Sequence, residues 1–165
     1  MAEASRYRVE VSSDHLRFAA AHFIAYPGFR EPLHGHNYQM SVRIEAALGP
    51  DGYVLDFGLV KRVAEGLCRE LTERTVLPTL SDCLEVTQHG ESVRVVTADG
   101  GRFEFPAADC VLLPIVHSSA EEIAAYLLGR LRQALAGEVT ARGVRSIVVG
   151  VAEAPGQTAY CEETL

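Results

Sequence analysis

Two histidines one residue apart, His34 and His36, head a run to Glu45 whose side chains alternate in character. In a strand, His34, His36, Tyr38, Met40, Val42 and Ile44 share one side, and Asn37, Gln39, Ser41, Arg43 and Glu45 share the other. The two imidazoles then lie at the end of an apolar face, about 6–7 Å apart along the strand. A second stretch places His22 on one face with Leu16, Phe18 and Ala20. Three neutral imidazoles that leave one position open for water or substrate describe a catalytic zinc site. Imidazole also suits iron, nickel and copper, so zinc is a preference by ligand type. The other reading is a satisfied core histidine at 22 beside a His-Gly-His turn, because a pattern as short as His-x-His recurs by chance. Gly35 fits either case, since its small size admits a close approach to the backbone.

The elements that must position these residues can be outlined. Residues 6–12 and 16–24 read as strands, 25–33 as a loop set by Pro27-Gly28 and Pro32, and 34–47 as the long strand. Asp56 is an N-cap for a helix over 57–74, with Val60, Val63, Ala64, Leu67, Cys68 and Leu71 on its apolar stripe. Residues 76–116 are less regular, apart from a hairpin that turns at Asp99-Gly100-Gly101. Ser119 and Glu122 form a capping-box pattern for a second helix, buried along Ile123, Leu127, Leu131 and Leu135. Strands at 144–153 and 157–162 flank Pro155-Gly156. The order predicts an α+β layer with helices on one face of an antiparallel sheet.

The chain has 165 residues, enough for one domain over 1–165 with a real core. A net charge of −7 leaves no footprint for nucleic acid or an anionic membrane. No apolar run approaches the ~20 residues of a membrane span. The stretch MAEASRYRVE lacks the apolar core of a signal peptide, so a cytoplasmic location is expected. Cys68, Cys83, Cys110 and Cys161 form no C-x-x-C pair and read as reduced thiols, with Cys68 as a small buried hydrophobe.

Taken together, FAAAHF (18–23), LHGHNY (33–38) and YVLDFGLVK (53–61) resemble the 6-pyruvoyltetrahydropterin synthase and 6-carboxytetrahydropterin synthase family. The likeness continues through LTERTVLPT (71–79), SSAEEIAAYL (118–127) and VVGVAEAPGQTAY (148–160). It implies a tunnelling fold, ββααββ with a hairpin insert in this chain, in which subunits form a barrel-like trimer and two trimers stack into a homohexamer. It also implies Zn²⁺ on His22, His34 and His36, and a pterin held by Glu153 with sites shared between subunits. A carboxylate can accept the pterin's amino group and adjacent ring N–H side by side. Ser119 and backbone near it would line the ring, and Glu121 either helps or occupies a first helical turn that favours acids.

The sequence departs from the family pattern twice. Where the usual enzyme carries a cysteine before His-x-His, residues 25–33 hold Glu31 instead. FREPLHGH resembles a subgroup associated with cleaving 7,8-dihydroneopterin triphosphate to 6-hydroxymethyl-7,8-dihydropterin, a retro-aldol scission in which a carboxylate is the general base. Thr72-Glu73 replaces the family's Asp-His pair; Glu73 is either a substitute acid or a solvated residue near the helix end, and His117 and His89 are the other candidate proton shuttles, with His117 favoured. The expected function is a zinc-dependent lyase of reduced-pterin side chains. The alternatives are a zinc- and pterin-binding protein without synthase activity, and a zinc hydrolase or hydratase that takes no pterin.

Overall fold

The computed structural model describes residues 6–165; the first half of the N-terminal stretch weighed above as a leader, residues 1–5, lies outside it. In chain order come β1 (Tyr7–His22), β2 (Ala25–Tyr26), β3 (Phe29–Arg30), β4 (His34–Ala46), α1 (Phe57–Leu71), β5 (Arg74–Pro78), β6 (Leu84–His89), β7 (Ser92–Thr97) and β8 (Arg102–Pro106). Then follow β9 (Cys110–Leu113), α2 (Ala120–Ala134), α3 (Ala136–Ala141), β10 (Ser146–Ala154) and β11 (Gln157–Thr164).

The two N-terminal strands expected from the sequence are one. β1 pairs antiparallel with β4 along both of its halves, with a register shift between Ser12 and Arg17. Before the shift, Val9 faces Ile44 and Val11 faces Val42; after it, Phe18 faces Tyr38, Ala20 faces His36 and His22 faces His34. The irregularity therefore moves the inward set of β1 from odd to even positions. His22 reaches the histidine face of β4 only because of that change.

Six strands form the main sheet in the order β11-β10-β4-β1-β5-β9. It is mixed, where the sequence predicted an antiparallel sheet: β5 runs parallel to β1, and β9 runs parallel to β5. β5 is short and buried at Thr75, Val76, Leu77 and Pro78, so it lacks the alternation that marks a half-exposed strand.

α1 packs on β1, and α2 packs on β10 and β11. Asp56 accepts from the Gly58 amide, and Ser119 accepts from the Glu122 amide, as N-caps should. Glu122 does not complete the expected box; its carboxylate accepts from the Val116 and His117 amides at 2.7 and 3.1 Å instead. It thereby holds the segment that leads into the helix. α1 ends at Leu71, earlier than its periodicity predicts, because Glu73 takes a left-handed conformation (φ 56°) and turns the chain into β5. Cys68 is buried in the main core, as expected.

β6, β7 and β8 form a separate three-stranded sheet. Its β7–β8 turn falls at the expected Asp99-Gly100-Gly101, but the added strand β6 was not legible in advance. This insert closes a second apolar cluster of Phe23, Ala25, Leu77, Cys83, Leu84, Val93 and Val95.

Candidate functional site

The register of β1 against β4 brings His22, His34 and His36 together, with one ligand-capable atom of each within 4.8 Å of the others. His22 is 2% exposed, His36 is half-buried and His34 is exposed, so the cluster opens outward from the sheet. Two of the rings are oriented by backbone. His22 Nδ1 lies 2.6 Å from the Ser118 carbonyl, and His34 Nδ1 lies 2.9 Å from the Pro32 carbonyl. A carbonyl only accepts, so Nδ1 donates in each ring, and the neutral form of the ring then has its lone pair on Nε2. Burial pushes the His22 pKa below its ordinary value, against the opposing pull of the Ser118 carbonyl and Glu153. The ring is thus neutral at neutral pH.

His22 Nε2 is buried without a hydrogen-bond partner. Its nearest acid, Glu153 Oε1, stands at 3.8 Å. An orphaned buried nitrogen costs free energy unless something meets it. Three imidazoles within one cluster are a donor set that fits a zinc-like cation, which answers that orphan directly.

Glu153 near the end of β10 joins the cluster through Tyr38, whose hydroxyl donates to Glu153 Oε1 at 3.4 Å. Tyr38 is fully buried, stacks on Phe18, and lies edge-on to His22 and His36. Burial first, then the charge of Glu153, push its phenol pKa well up, so it stays a donor. Glu31 adds a smaller contribution to that upward shift. Its own loop holds it: Glu31 Oε2 accepts from the Ile24 amide at 3.0 Å, and the Glu31 amide donates to the Ile24 carbonyl at 2.9 Å. The loop expected at 25–33 contains the small hairpin of β2 and β3.

Two clefts meet at His36. One, of about 640 Å³, is lined by Arg17, Gln39, Glu153, Pro155 and Thr158 besides His36. The other, of about 470 Å³, includes Asn37, Glu73, Arg74 and Thr75. Gly35 borders both, and a Cβ there would lie 3.1 Å from the Ala20 carbonyl oxygen, a tight contact that the small size of glycine avoids.

The remaining candidates are placed less closely. Glu73 is exposed on the second cleft, and its amide donates to the Ala19 carbonyl. His117 has a buried Nδ1 without a partner. Ser119 uses its hydroxyl as a helix cap, Glu121 is exposed on the first turn of α2, and His89 is exposed at the end of β6. Sequence reasoning placed Tyr38 on the histidine face but gave it no role. Ser118 escaped notice because it acts through its carbonyl, while its hydroxyl donates to the Phe23 carbonyl at 2.8 Å.

Comparison with known proteins bears on this arrangement. A 6-pyruvoyl tetrahydropterin synthase from Plasmodium vivax superposes with a TM-score of 0.94 and 36% sequence identity, over 98% of this chain and 99% of that one. Solved variants of that enzyme replace a glutamate, described there as a catalytic residue, by alanine or by cysteine. A protein of Methanocaldococcus jannaschii, provisionally named 6-carboxy-5,6,7,8-tetrahydropterin synthase, is 26% identical over 125 residues, 73% of this chain and 74% of its own. A dihydroneopterin monophosphate aldolase of Pyrococcus furiosus is 37% identical over 59 residues, which is 36% of this chain and 50% of the aldolase. The family model for 6-pyruvoyl tetrahydropterin synthase matches residues 11–164, and the chain belongs to that family.

Proposed function

We propose that the chain is a zinc-dependent lyase that cleaves a carbon–carbon bond in the side chain of a reduced pterin. The substrate expected is 7,8-dihydroneopterin triphosphate, and the product 6-hydroxymethyl-7,8-dihydropterin. The observation that carries the reading is Glu31, a carboxylate held on the Ile24 amide in the loop that joins His22 to His34, a loop that has no thiol.

His22, His34 and His36 would hold the zinc, the first two through Nε2. Bound there, zinc supplies Lewis-acid stabilisation of negative charge on a substrate oxygen. Glu153 accepts the pterin's amino and ring N–H groups, with Tyr38 holding one of its oxygens in place. Glu31 has Oε2 committed to the Ile24 amide, which leaves Oε1 to take a proton from a side-chain hydroxyl. Loss of that proton turns the hydroxyl carbon into a carbonyl as the adjacent carbon–carbon bond breaks. A proton returned to the pterin-side carbon completes the hydroxymethyl group. The glutamate named catalytic in the Plasmodium vivax enzyme, and the partial match to an aldolase, support this assignment.

β9 and β11 are the edges of the main sheet. Unpaired edges suit pairing between subunits. We assign the chain to a barrel-like trimer, two of which stack as a homohexamer with sites between subunits, in the cytoplasm. Zinc and pterin binding without synthase turnover is the second reading, and the Thr72–Glu73 corner favours it. There the Thr72 hydroxyl accepts from the Ala19 amide, and no histidine stands beside an aspartate to relay protons.

Single-turnover product analysis with dihydroneopterin triphosphate tests the proposal. The expected product is 6-hydroxymethyl-dihydropterin with little 6-pyruvoyl compound. Glu31→Gln should lower turnover by about 10²-fold or more with metal content retained. Full activity in that variant removes Glu31 from the chemistry and makes Glu73 or His117 the next suspect. Pterin binding with no turnover in the wild type selects the second reading.

A further inference from the structure

The three-stranded insert supplies no side chain to the site, yet it touches the Glu31 loop twice. Its inner face packs on Phe23 and Ala25, with the Phe23 and Phe103 rings stacked at 5.1 Å. Those two residues flank Ile24, the backbone partner of Glu31 in both directions. At the tip of the insert, Asp99 Oδ2 accepts from Arg30 Nε at 2.9 Å. The Arg30 guanidinium lies over the Phe103 ring at 5.6 Å, and its Nη1 donates to the Glu31 carbonyl at 3.3 Å. Asp99 is itself held, since Oδ1 accepts from the Thr97 hydroxyl and from the Gly101 amide.

Arg30 and Asp99 also line a cleft of about 220 Å³ between the β2–β3 hairpin and the insert. The hairpin is therefore not packed solidly on its support, and the ion pair is its polar tie. Asp99 is 51% exposed, and an exposed pair adds little to global stability. What such a pair can do is fix the direction of one short segment. The segment it fixes carries Glu31.

We infer that Arg30 and Asp99 are positioning residues, through which the insert clamps the hairpin and aims the Glu31 carboxylate at the histidine cluster. The inference rests on the reading of Glu31 as the base, and its test separates the two. Amide hydrogen exchange is followed by NMR in the full chain, as wild type, Arg30→Gln, Asp99→Ala and Asp99→Glu. Exchange at the Ile24 and Glu31 amides should quicken about tenfold or more in Arg30→Gln and Asp99→Ala, with the melting temperature and zinc content held. Asp99→Glu should restore much of the protection. On dihydroneopterin triphosphate, kcat should fall about tenfold with KM unchanged, as misplacement of a reacting group predicts. Within a Glu31→Gln background, Asp99→Ala should subtract nothing further. Arg30→Gln leaves the Thr97 and Gly101 contacts of Asp99 intact, so it decides the matter if Asp99→Ala fails to fold. Unchanged exchange in Arg30→Gln overturns the clamp. Quickened exchange with undiminished kcat, where Glu31→Gln does lose turnover, overturns the positioning role. Full turnover in Glu31→Gln overturns the base assignment instead, and amide exchange still decides the clamp.

Discussion

The two ends of the β1–β4 ladder share one face of one pair of strands and serve opposite ends. At one, Val11, Val42 and Ile44 are 3%, 1% and 1% exposed in the main core. At the other, His22, His34 and His36 point to the same side, but only His22 is buried. Helices cover the first end; the Glu31 hairpin and the Ser118 segment border the second. Alternation selects the face, and the covering element decides whether the side chains there pack or react. A buried imidazole is tolerable where a carbonyl meets Nδ1 and something else meets Nε2.

Matched substitutions at the two ends should give opposite signatures. The largest effect expected is at His36→Ala, which removes one of the three proposed ligands and should abolish most zinc binding. Metal analysis checks this, while the metal-free variant should melt close to the metal-free wild type. Ile44→Ala should do the reverse, keeping about one zinc per chain but losing ~2–5 kcal/mol of stability through an unfilled cavity. Denaturant unfolding of the metal-free protein measures that loss. If both variants lost both properties, the two ends would not be separable.

Glu153 sharpens the boundary, because it touches Tyr38 and stands beside His22. Glu153→Gln should weaken pterin binding more than tenfold, on the scale of ~1.5–3 kcal/mol for a charged hydrogen bond, and leave zinc content unchanged. Calorimetry with a reduced pterin checks it; unchanged affinity returns Glu153 to a structural role.

The smallest effect belongs to the outside of the apolar end. There Asp51 pairs with Arg142 through two contacts of 2.7 Å, which hold the Asp51 carboxyl at about 2, below the ordinary carboxylate range. A depressed acid contributes stability above its unfolded pKa and loses it as pH falls through the folded one. Asp51→Asn should therefore lower the melting temperature slightly at pH 7, with the gap from wild type closing towards pH 2. The pair is exposed, so a large shift at neutral pH would be unexpected.

Much of this was legible in the residues. Asp56 and Ser119 cap the helices their chemistry announces, and the turn at Asp99-Gly100-Gly101 joins the two strands expected beside it. The histidine cluster followed from two local alternations and one assumption, that their strands are neighbours. Other features were hidden for physical reasons. The shift between Ser12 and Arg17 looked like a break between strands, because a bulge interrupts alternation as a loop does. β5 and β9 were missed because short parallel strands carry no alternating signature. Arg30 and Asp99 are 69 residues apart, one in the FREPLHGH stretch and the other in a hairpin turn, and no local pattern pairs them.

By itself, then, the sequence determined the apolar faces, the caps, the turns and the three imidazoles, because each is encoded by spacing within one element. Only the tertiary structure decided that β1 changes its inward parity, so that His22 meets His34 and His36. It alone placed the Ser118 carbonyl on His22, the Tyr38 hydroxyl on Glu153 and the insert's Asp99 on Arg30. Those contacts join backbone groups or side chains distant in the chain, and no local periodicity records them. Register and long-range packing do, since a one-residue slip would turn the imidazoles of β4 to the opposite face of the sheet.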